Sequence, residues 1–165
     1  MNNPFVLGHG SWHTGFVWFK TEQALRQRGV TSVYAPSLSG MATIDKPADK
    51  PVSLHTHIND VIRLIVETNL NHVVLVGHRY GGFVIAGVAE AMPERIAHLV
   101  FLDVFITEHG QSLSDLVPPQ AVAHCRSVLV DERLRTRQAG AEQVWLIPPS
   151  EPQDYGVSDP RDIEH

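Results

Sequence analysis

A glycine-rich turn that follows a short apolar run is the feature that most constrains the fold of this chain. Val73–Val76 is apolar throughout, and residues 77–82 read Gly-His-Arg-Tyr-Gly-Gly. A short apolar run closed by glycine is typical of a buried strand. Phe83–Ala91 follows the turn and has the composition of a helix that ends before Pro93. The segment therefore predicts a strand that turns sharply into a helix, with glycines permitting the close packing.

The centre of this turn carries an arginine where a nucleophile could stand. A G-x-S-x-G turn between a strand and a helix presents a serine nucleophile at the tip of a parallel sheet. In this chain the same frame has Arg79 at the serine position. Arginine keeps its proton at ordinary pH and cannot act as a nucleophile. A long cation at a helix N-terminus should instead attract an anion or pair with a carboxylate.

The rest of the first hundred residues predicts an α/β fold with a mostly parallel sheet of about four strands. Apolar runs indicate strands at Phe5–Leu7, Thr31–Ala35, His72–Val76 and Ile96–Phe105. Apolar residues at helical spacing predict helices over residues 15–28, ended by Gly29, and over His55–Asn69, with Thr56 as a candidate N-cap. Continuous apolar strands separated by helices imply a parallel sheet covered by helices on both faces.

The pattern changes after residue 108, so we expect an α/β core over residues 1–108 and a separate segment over residues 109–165. The second segment contains one predicted helix, from Pro119 to about Arg137. It also contains an apolar stretch, Val144–Pro149, and a polar, proline-rich tail from Ser150.

Composition and charge argue against several classes of protein. Hydrophobic residues make up 43% of the 165 residues and charged residues 19%, which is typical of a globular domain. A net charge of −5 without a Lys/Arg cluster argues against nucleic-acid binding. No secretory signal is visible, and no apolar run reaches the roughly 18 residues of a membrane span. Cys125 is the only cysteine, which fits a reducing compartment, so we expect a cytoplasmic protein.

The chain is rich in histidine, with ten in total. His9 and His13 are four residues apart, and His55 and His57 are two apart, so either pair could contribute to a metal site on a suitable element. No cysteine or carboxylate spacing completes a recognisable zinc pattern. We therefore expect no metal and no cofactor.

Several segments together resemble the α/β-hydrolase superfamily, in its small esterase and hydroxynitrile-lyase-like branch. They are residues 5–13 (Phe-Val-Leu-Gly-His-Gly-Ser-Trp-His), 35–40 (Ala-Pro-Ser-Leu-Ser-Gly), 74–82, 93–96 (Pro-Glu-Arg-Ile) and 99–103 (Leu-Val-Phe-Leu-Asp). Residues 145–149 (Trp-Leu-Ile-Pro-Pro) also resemble the short lid of bacterial members. The resemblance implies a sheet with a nucleophile elbow, an oxyanion hole and a lid over a mainly apolar pocket.

The resemblance also implies roles for individual residues near the turn. It implies that the backbone N–H groups of Ser11 and Tyr80 form the oxyanion hole, where fixed donors stabilise developing negative charge. The surrounding turn and pocket positions are Gly10, Trp12, His78 and Gly81. The alternative is that the His9-Gly10 segment is only a strand-to-helix turn that needs glycine for its backbone angles.

Residues of this chain match the acid and histidine positions of the family's catalytic triad less well than they match the elbow. Asp103 is a candidate acid, an ion-pair partner for Arg79, or a strand-end aspartate that caps the next turn. The family's chain order places a histidine after the last strand, and the resemblance implies two more strands after the lid. The other candidates, His109, His124 and His165, do not match that position. We therefore expect a truncated α/β-hydrolase fold.

These observations predict a relative of carboxylesterases that act on small esters, catalytically impaired by Arg79 and by the missing histidine. One alternative is a pseudoenzyme that binds an anion or small acid. Another is the N-terminal part of an active hydrolase or lyase that is completed by another segment. The expected partner is a small-molecule ester or acid. Because the Ile96–Phe105 strand would lie at a sheet edge, a homodimer through that edge is also predicted.

Overall fold

The computed structural model of the chain describes residues 3–41, 52–108, 110–128, 137–139 and 142–144. The chain divides into two compact units, Met1–Leu116 and Val117–His165. A short helix, Leu113–Leu116, belongs to the first of these units. The expected division into a core over residues 1–108 and a segment over residues 109–165 stays a prediction.

Four parallel strands form the sheet of the first unit. They are β1 (Phe5–Gly8), β2 (Val33–Tyr34), β3 (Val73–His78) and β4 (Ile96–Leu102), in the spatial order β2-β1-β3-β4. Every neighbouring pair is parallel. The predicted α/β fold, with its mostly parallel sheet of about four strands, is therefore confirmed. β3 runs two residues further than predicted, because Gly77 and His78 continue the pairing with β4.

The helices of the first unit are α1 (Phe19–Gln27), α2 (Leu54–Glu67), α3 (Gly81–Ala91) and α4 (Leu113–Leu116). A 3-10 helix, Gly15–Trp18, precedes α1, so the helix predicted over residues 15–28 is in two pieces. Gly29, with φ of +87°, follows α1 as the predicted glycine stop.

The predicted N-cap of α2 was wrong by three residues. Ser53 is the N-cap, and its side chain accepts a hydrogen bond from the Thr56 amide at 3.3 Å. Thr56 returns the interaction, since its hydroxyl oxygen accepts from the Ser53 amide at 3.1 Å. This reciprocal capping box satisfies two amide donors at the start of the helix, so α2 begins at Leu54 rather than after Thr56.

Two apolar clusters pack on opposite faces of the sheet, because successive strand side chains point to opposite sides. Val6 of β1 and Leu75 of β3 lie in the cluster that includes buried residues of α2 and α3. Leu7 and Val76 lie in the other cluster, with Trp18 of the 3-10 helix. Helices on both faces are thus confirmed for the strands at the centre of the sheet.

The outer strand β4 departs from the expectation of a sheet covered on both faces. Its last five residues are exposed, and the exposed fractions rise from 37% at Leu99 to 49% at Leu102. β4 also ends at Leu102 rather than at Phe105. The apolar character of this strand therefore reflects surface that the described part of the chain does not cover.

The second unit is described in part. It contains α5 (Pro119–Val128) and an antiparallel pair of strands, β5 (Arg137–Ala139) and β6 (Glu142–Val144). The lid-like residues 145–149 and the tail from Ser150 lie outside the described residues. Across the described ranges, no helix combines the length and the apolarity that crossing a membrane would require.

The turn from β3 into α3 is packed tightly against the end of β1. A Cβ atom on Gly81 would lie 2.6 Å from the carbonyl oxygen of Gly8 and 2.9 Å from that of His9. A Cβ atom on Gly77 would lie 2.6 Å from the carbonyl oxygen of Gly81. These are main-chain atoms inside the sheet and its turns, so they cannot move aside cheaply. The glycines of the sequence motif are therefore required by backbone contact.

We predict that Gly81→Ala lowers the free energy of unfolding by about 1–3 kcal/mol, because the added methyl overlaps fixed carbonyl oxygens. Gly8→Ala is the matched control, since a Cβ atom there has no neighbour closer than 3.4 Å. Urea unfolding followed by circular dichroism measures both variants. Equal stability of the two variants would contradict the close-contact explanation.

Candidate functional site

Arg79 occupies the apex of the turn between β3 and α3. Its φ angle is +48°, in the left-handed region that non-glycine residues rarely adopt. Its amide donates to the Leu102 carbonyl at 3.4 Å, and its carbonyl accepts from the Gly82 amide at 3.0 Å. Such a conformation costs on the order of 1–3 kcal/mol and persists only where the surroundings impose it. The geometry is that of a nucleophile elbow with arginine at its tip.

The Arg79 side chain forms an ion pair with Asp103. The guanidinium Nη2 lies 3.7 Å from the carboxylate Oδ2, and the side chains are 51% and 76% exposed. Asp103 follows β4 directly and also has a positive φ angle, of +48°. Three roles were predicted for Asp103, and the structure shows one of them, the ion pair with Arg79. At this distance and exposure the pair contributes little to stability, since solvent screens it.

The turn after β1 meets the elbow, as the predicted oxyanion site requires. A Cβ atom on Gly10 would lie 3.3 Å from the Cβ atom of Arg79 and 3.4 Å from the His78 carbonyl oxygen. Gly10 therefore allows the two turns to touch. Ser11 follows Gly10, and Tyr80 follows Arg79, so both predicted amide donors stand beside this contact. Their role as an oxyanion hole stays a prediction.

His9 is fully buried and anchors the loop after β2. Its Nε2 accepts a hydrogen bond from the Leu38 amide at 3.0 Å, so the proton of the neutral ring is on Nδ1. Nδ1 then donates to the Gly10 carbonyl at 2.8 Å. Burial lowers the pKa of His9 below its ordinary value of 6.5, and this outweighs the opposing effect of the Gly10 carbonyl. The ring is thus a neutral structural link.

A second histidine, His57, connects the same loop to the elbow. Its Nε2 donates to the Ser39 carbonyl at 2.9 Å, and its Nδ1 accepts from the Tyr80 hydroxyl at 2.8 Å. Asp60 accepts from the Ser39 amide at 2.8 Å and from the Ser39 hydroxyl at 3.0 Å. Burial raises the pKa of Tyr80 to about 12, so the hydroxyl keeps its proton and donates it. A chain of hydrogen bonds therefore links α2 to the residue after Arg79.

Sequence reasoning missed this role of His57, although a signal was present. His57, Val61 and Ile65 are the buried residues of α2 and are spaced four apart. A histidine at that spacing lies on the apolar face of a helix, where a buried polar group must find hydrogen-bond partners.

His78 lies in the elbow and Trp12 follows the turn after β1, and the two differ in exposure. The His78 ring is partly buried and makes edge contacts with the Trp18 ring at 6.2 Å and with the His13 ring at 6.1 Å. Burial lowers the pKa of His78, as do the neighbouring His13 and Arg79. Trp12 has a φ angle of +61° and is 44% exposed. His78 thus packs beside Trp18, on the sheet face that carries the Leu7 cluster.

The remaining candidates do not complete a catalytic set in the described part of the chain. His124 is exposed on α5, in the second unit, whereas His109 and His165 lie outside the described residues. No group of three or more histidine, cysteine, aspartate or glutamate side chains is placed to hold a metal within the described ranges. A surface groove beside α2 includes Ser39 and Asp60 but not Arg79. What the described part of the elbow offers chemically is an exposed cation paired with a carboxylate.

Comparison with known proteins identifies relatives of the chain. A model of the Alpha/beta hydrolase family matches residues 5–162. The carbendazim hydrolyzing esterase of Nocardioides sp. (strain SG-4G) is 45% identical over 114 residues, which cover 69% of this chain and 47% of that protein. Methylesterase 1 of Arabidopsis thaliana is 37% identical over 113 residues, which cover 66% of this chain and 42% of that protein. The chain therefore spans somewhat less than half the length of these two curated relatives.

A solved structure supports the same relationship. It is an extracellular α/β-hydrolase from a Paenibacillus species, described as sharing structural and functional homology with tobacco salicylic acid binding protein 2. It matches with a TM-score of 0.70 and 34% identity, over 76% of this chain and 50% of that chain.

We predict that the free energy of unfolding decreases as the pH falls below 6.5. The unfolded chain binds a proton on His9 near the ordinary pKa of 6.5, whereas folded His9 binds it only at lower pH. The stabilisation is therefore complete above pH 6.5, and it is lost as the pH falls from 6.5 through the lower pKa of the folded His9 ring. His78, whose pKa is also lowered, acts with the same sign.

Urea unfolding at a series of pH values measures this dependence. His9→Gln keeps an acceptor near the Leu38 amide and should flatten the dependence while lowering stability at neutral pH. The exposed His55 supplies the control His55→Gln, which should leave the slope unchanged. An unchanged slope in His9→Gln would exclude His9 as its source.

Proposed function

Since the chain belongs to the α/β-hydrolase family, in its esterase and hydroxynitrile-lyase-like branch, we propose that it binds small carboxylic acids or their esters at the Arg79 elbow without hydrolysing them. The names of two relatives, a carbendazim hydrolyzing esterase and a methylesterase, support small esters as the ligand class. The expected cytoplasmic location stays a prediction, and one relative of solved structure is extracellular.

The position of Arg79 is the observation that carries this proposal. It stands at the apex of the β3–α3 turn, with φ of +48°, where a G-x-S-x-G motif has its serine. The guanidinium has no lone pair to attack a carbonyl carbon, so serine-type acyl transfer cannot begin at this residue. It can donate two parallel hydrogen bonds to a carboxylate, at the N-terminus of a helix whose amides also favour negative charge.

Asp103 competes with a ligand carboxylate for the guanidinium of Arg79. Its own carboxylate lies 3.7 Å from the guanidinium, longer than a direct hydrogen bond, and both side chains are largely in solvent. A ligand that forms a bidentate pair with Arg79 therefore competes with a weak internal partner. Asp103 acts in this proposal as a competitor for the anion site, not as a catalytic acid.

A second candidate function is supported by the lengths of the relatives. The chain spans 47% of the carbendazim hydrolyzing esterase and 42% of methylesterase 1. It could form the N-terminal part of a hydrolase or lyase whose remaining groups come from another segment. A lyase-type reaction would not need a serine nucleophile, but it would need a general base at the site.

We predict that the chain cleaves p-nitrophenyl acetate no faster than buffer, and that Arg79→Ser alone does not change this. The reason is that a serine needs a histidine base, and in the described part of the chain the buried histidines beside the elbow, His9 and His57, already use both ring nitrogens in hydrogen bonds. Release of p-nitrophenol measures the rate. Arg79→Ser joined to the second half of the carbendazim hydrolyzing esterase should be active if that half supplies the base.

The outcomes separate the two candidate functions. Saturable turnover by the unmodified chain that persists in Arg79→Ala would contradict the proposed loss of hydrolysis. Activity of the joined chain only when residue 79 is serine would support both the fold assignment and the inactivity of Arg79. Equal activity with arginine at residue 79 would favour the second candidate function.

We predict that acetate stabilises the chain against thermal unfolding and that Arg79→Gln weakens this binding by about tenfold or more, the loss of a charge-assisted contact. Asp103→Asn should strengthen acetate binding, since it removes the internal competitor. Differential scanning fluorimetry over a series of acetate concentrations, at constant ionic strength, measures both effects.

Arg63→Gln is the matched control for this experiment. Arg63 is an exposed arginine that also pairs with an aspartate, Asp60, at 3.4 Å, but it lies on α2. The Arg63→Gln variant should leave acetate binding unchanged. Equal losses in Arg63→Gln and Arg79→Gln would show a general charge effect and would overturn the proposed site.

A further inference from the structure

We propose that His57 is a positioning residue for the Arg79 elbow. Through the Tyr80 hydroxyl it holds the start of α3, and with it the apex of the turn, in the orientation that binds a carboxylate. His57 thereby serves the proposed anion site, and in this respect the proposal rests on the proposed function. The contacts that carry it lie inside the first unit, between described residues.

The place of Tyr80 in the chain couples it to Arg79. Tyr80 follows Arg79 directly and is the N-cap of α3, with φ of −55° and ψ of −33°. Its carbonyl accepts from the Phe83 amide at 3.0 Å, so its main chain belongs to the first turn of the helix. Arg79 has a left-handed φ of +48°, which persists only where its neighbours impose it. A shift of the Tyr80 main chain would therefore change the apex of the turn.

His57 fixes the Tyr80 side chain from a neighbouring helix. The two rings meet edge to face, with centroids 5.5 Å apart and an angle of 85° between their planes. The Tyr80 hydroxyl donates to Nδ1 of His57 at 2.8 Å. His57 is 4% exposed and lies near the start of α2, which the Ser53 capping box holds. The acceptor of the hydroxyl is therefore itself part of a capped helix.

The other ring nitrogen of His57 ties the elbow to the loop after β2. Nε2 donates to the Ser39 carbonyl at 2.9 Å. The adjacent Leu38 amide donates to His9, whose Nδ1 donates to the Gly10 carbonyl. The turns after β1 and β3 are thus both linked, through one histidine each, to adjacent residues of this loop. These turns lie at the carboxyl ends of parallel strands, where α/β proteins bind their ligands, so the loop braces both turns of the candidate site.

A hydrogen-bonded pair suits residue 57 because it sets a direction. The next buried residues on this face of α2 are Val61 and Ile65, and an apolar side chain at residue 57 would continue the face without the cost of burying polar groups. Apolar packing is non-directional, whereas a hydrogen bond fixes a distance and an angle. The polar pair therefore holds the Tyr80 ring in one place.

The orientation of the turn matters for binding because the Arg79 side chain is 51% exposed, so packing holds it only in part. A bidentate contact with a carboxylate needs the guanidinium in a set orientation, and ordering it on binding costs free energy. A turn that Tyr80 and His57 already hold has less to order. Loosening the turn should therefore weaken the binding of a carboxylate, although His57 itself does not touch the ligand.

The first test compares His57→Leu with His57→Asn, two side chains of the same shape and nearly the same size. The Asn oxygen lies close to the former Nδ1 position and can accept from the Tyr80 hydroxyl, whereas Leu cannot. We expect His57→Leu to weaken acetate binding by about fivefold or more and His57→Asn to restore most of the loss. Titration of the isotope-labelled chain with acetate, followed by NMR at constant ionic strength, measures the affinities.

The rescue should depend on the Tyr80 hydroxyl. In a Tyr80→Phe background, which removes a single oxygen atom, His57→Leu and His57→Asn should bind acetate equally weakly. Tyr80→Phe alone should weaken binding about as much as His57→Leu, and it tests the link even where His57→Leu does not fold.

Ile65→Val is the matched control for these variants. It removes a methyl group from the same buried face of α2 but no hydrogen-bond partner of Tyr80 or Ser39. It should lower stability and leave acetate affinity unchanged.

A second measurement needs no ligand. The Phe83 amide donates to the Tyr80 carbonyl and the Ser39 amide donates to Asp60, so their hydrogen exchange reports on the elbow and on the loop separately. His57→Leu should speed exchange at both amides. His57→Asn should protect the Phe83 amide again but not the Ser39 amide, because its shorter side chain does not reach the Ser39 carbonyl.

The two measurements separate failure of the positioning role from failure of the proposed function. If the unmodified chain binds no acetate, the proposed anion site is overturned, and amide exchange still decides whether His57 holds the elbow. Equal acetate binding by the unmodified and His57→Leu chains would overturn the positioning role, as would a rescue by His57→Asn that persists in Tyr80→Phe. An equal loss of affinity in Ile65→Val would show a general effect of stability and would also overturn it.

Discussion

The contact between the start of α3 and the end of β1 is the constraint on which the rest of the site depends. Gly81 brings the helix so close to the Gly8 and His9 carbonyl oxygens that any side chain there would overlap them. Because the helix starts at this point, the residue before its first turn must reverse the chain sharply. Arg79 therefore sits in a left-handed conformation, and the Gly10 turn lies directly against it.

Charge is distributed unevenly around this contact. Inside, the two buried histidines His9 and His57 use both ring nitrogens in hydrogen bonds, to the loop after β2, to the Gly10 carbonyl and to Tyr80. Outside, the ion pair between Arg79 and Asp103 is largely in solvent. Neutral His9 thus links this loop to the turn after β1 without the cost of burying a charge. In the described part of the chain, the cation of the elbow is thus at its exposed tip, paired with a carboxylate.

Much of the fold could be predicted because it rests on local patterns. Apolar runs and glycine stops placed the four strands and three main helices of the first unit to within a few residues. The N-cap of α2 was misplaced because two nearby side chains each accept from the other's amide, and Ser53 rather than Thr56 holds the N-cap position. The candidate site was only partly predictable. Residues near the elbow followed from the motif, whereas the link from Tyr80 through His57 to Ser39 joins residues far apart in sequence.

The sequence by itself determined that the chain turns from a strand into a helix around residue 79, and that this turn carries a cation. Both follow from local chemistry, namely glycines that permit close packing and a guanidinium that stays protonated. The tertiary structure decided what surrounds that cation and which surface stays open. The ion pair with Asp103, the neutral state of His9 and the exposure of β4 depend on packing between distant segments, because burial and hydrogen-bond partners are set by the neighbours that folding brings together.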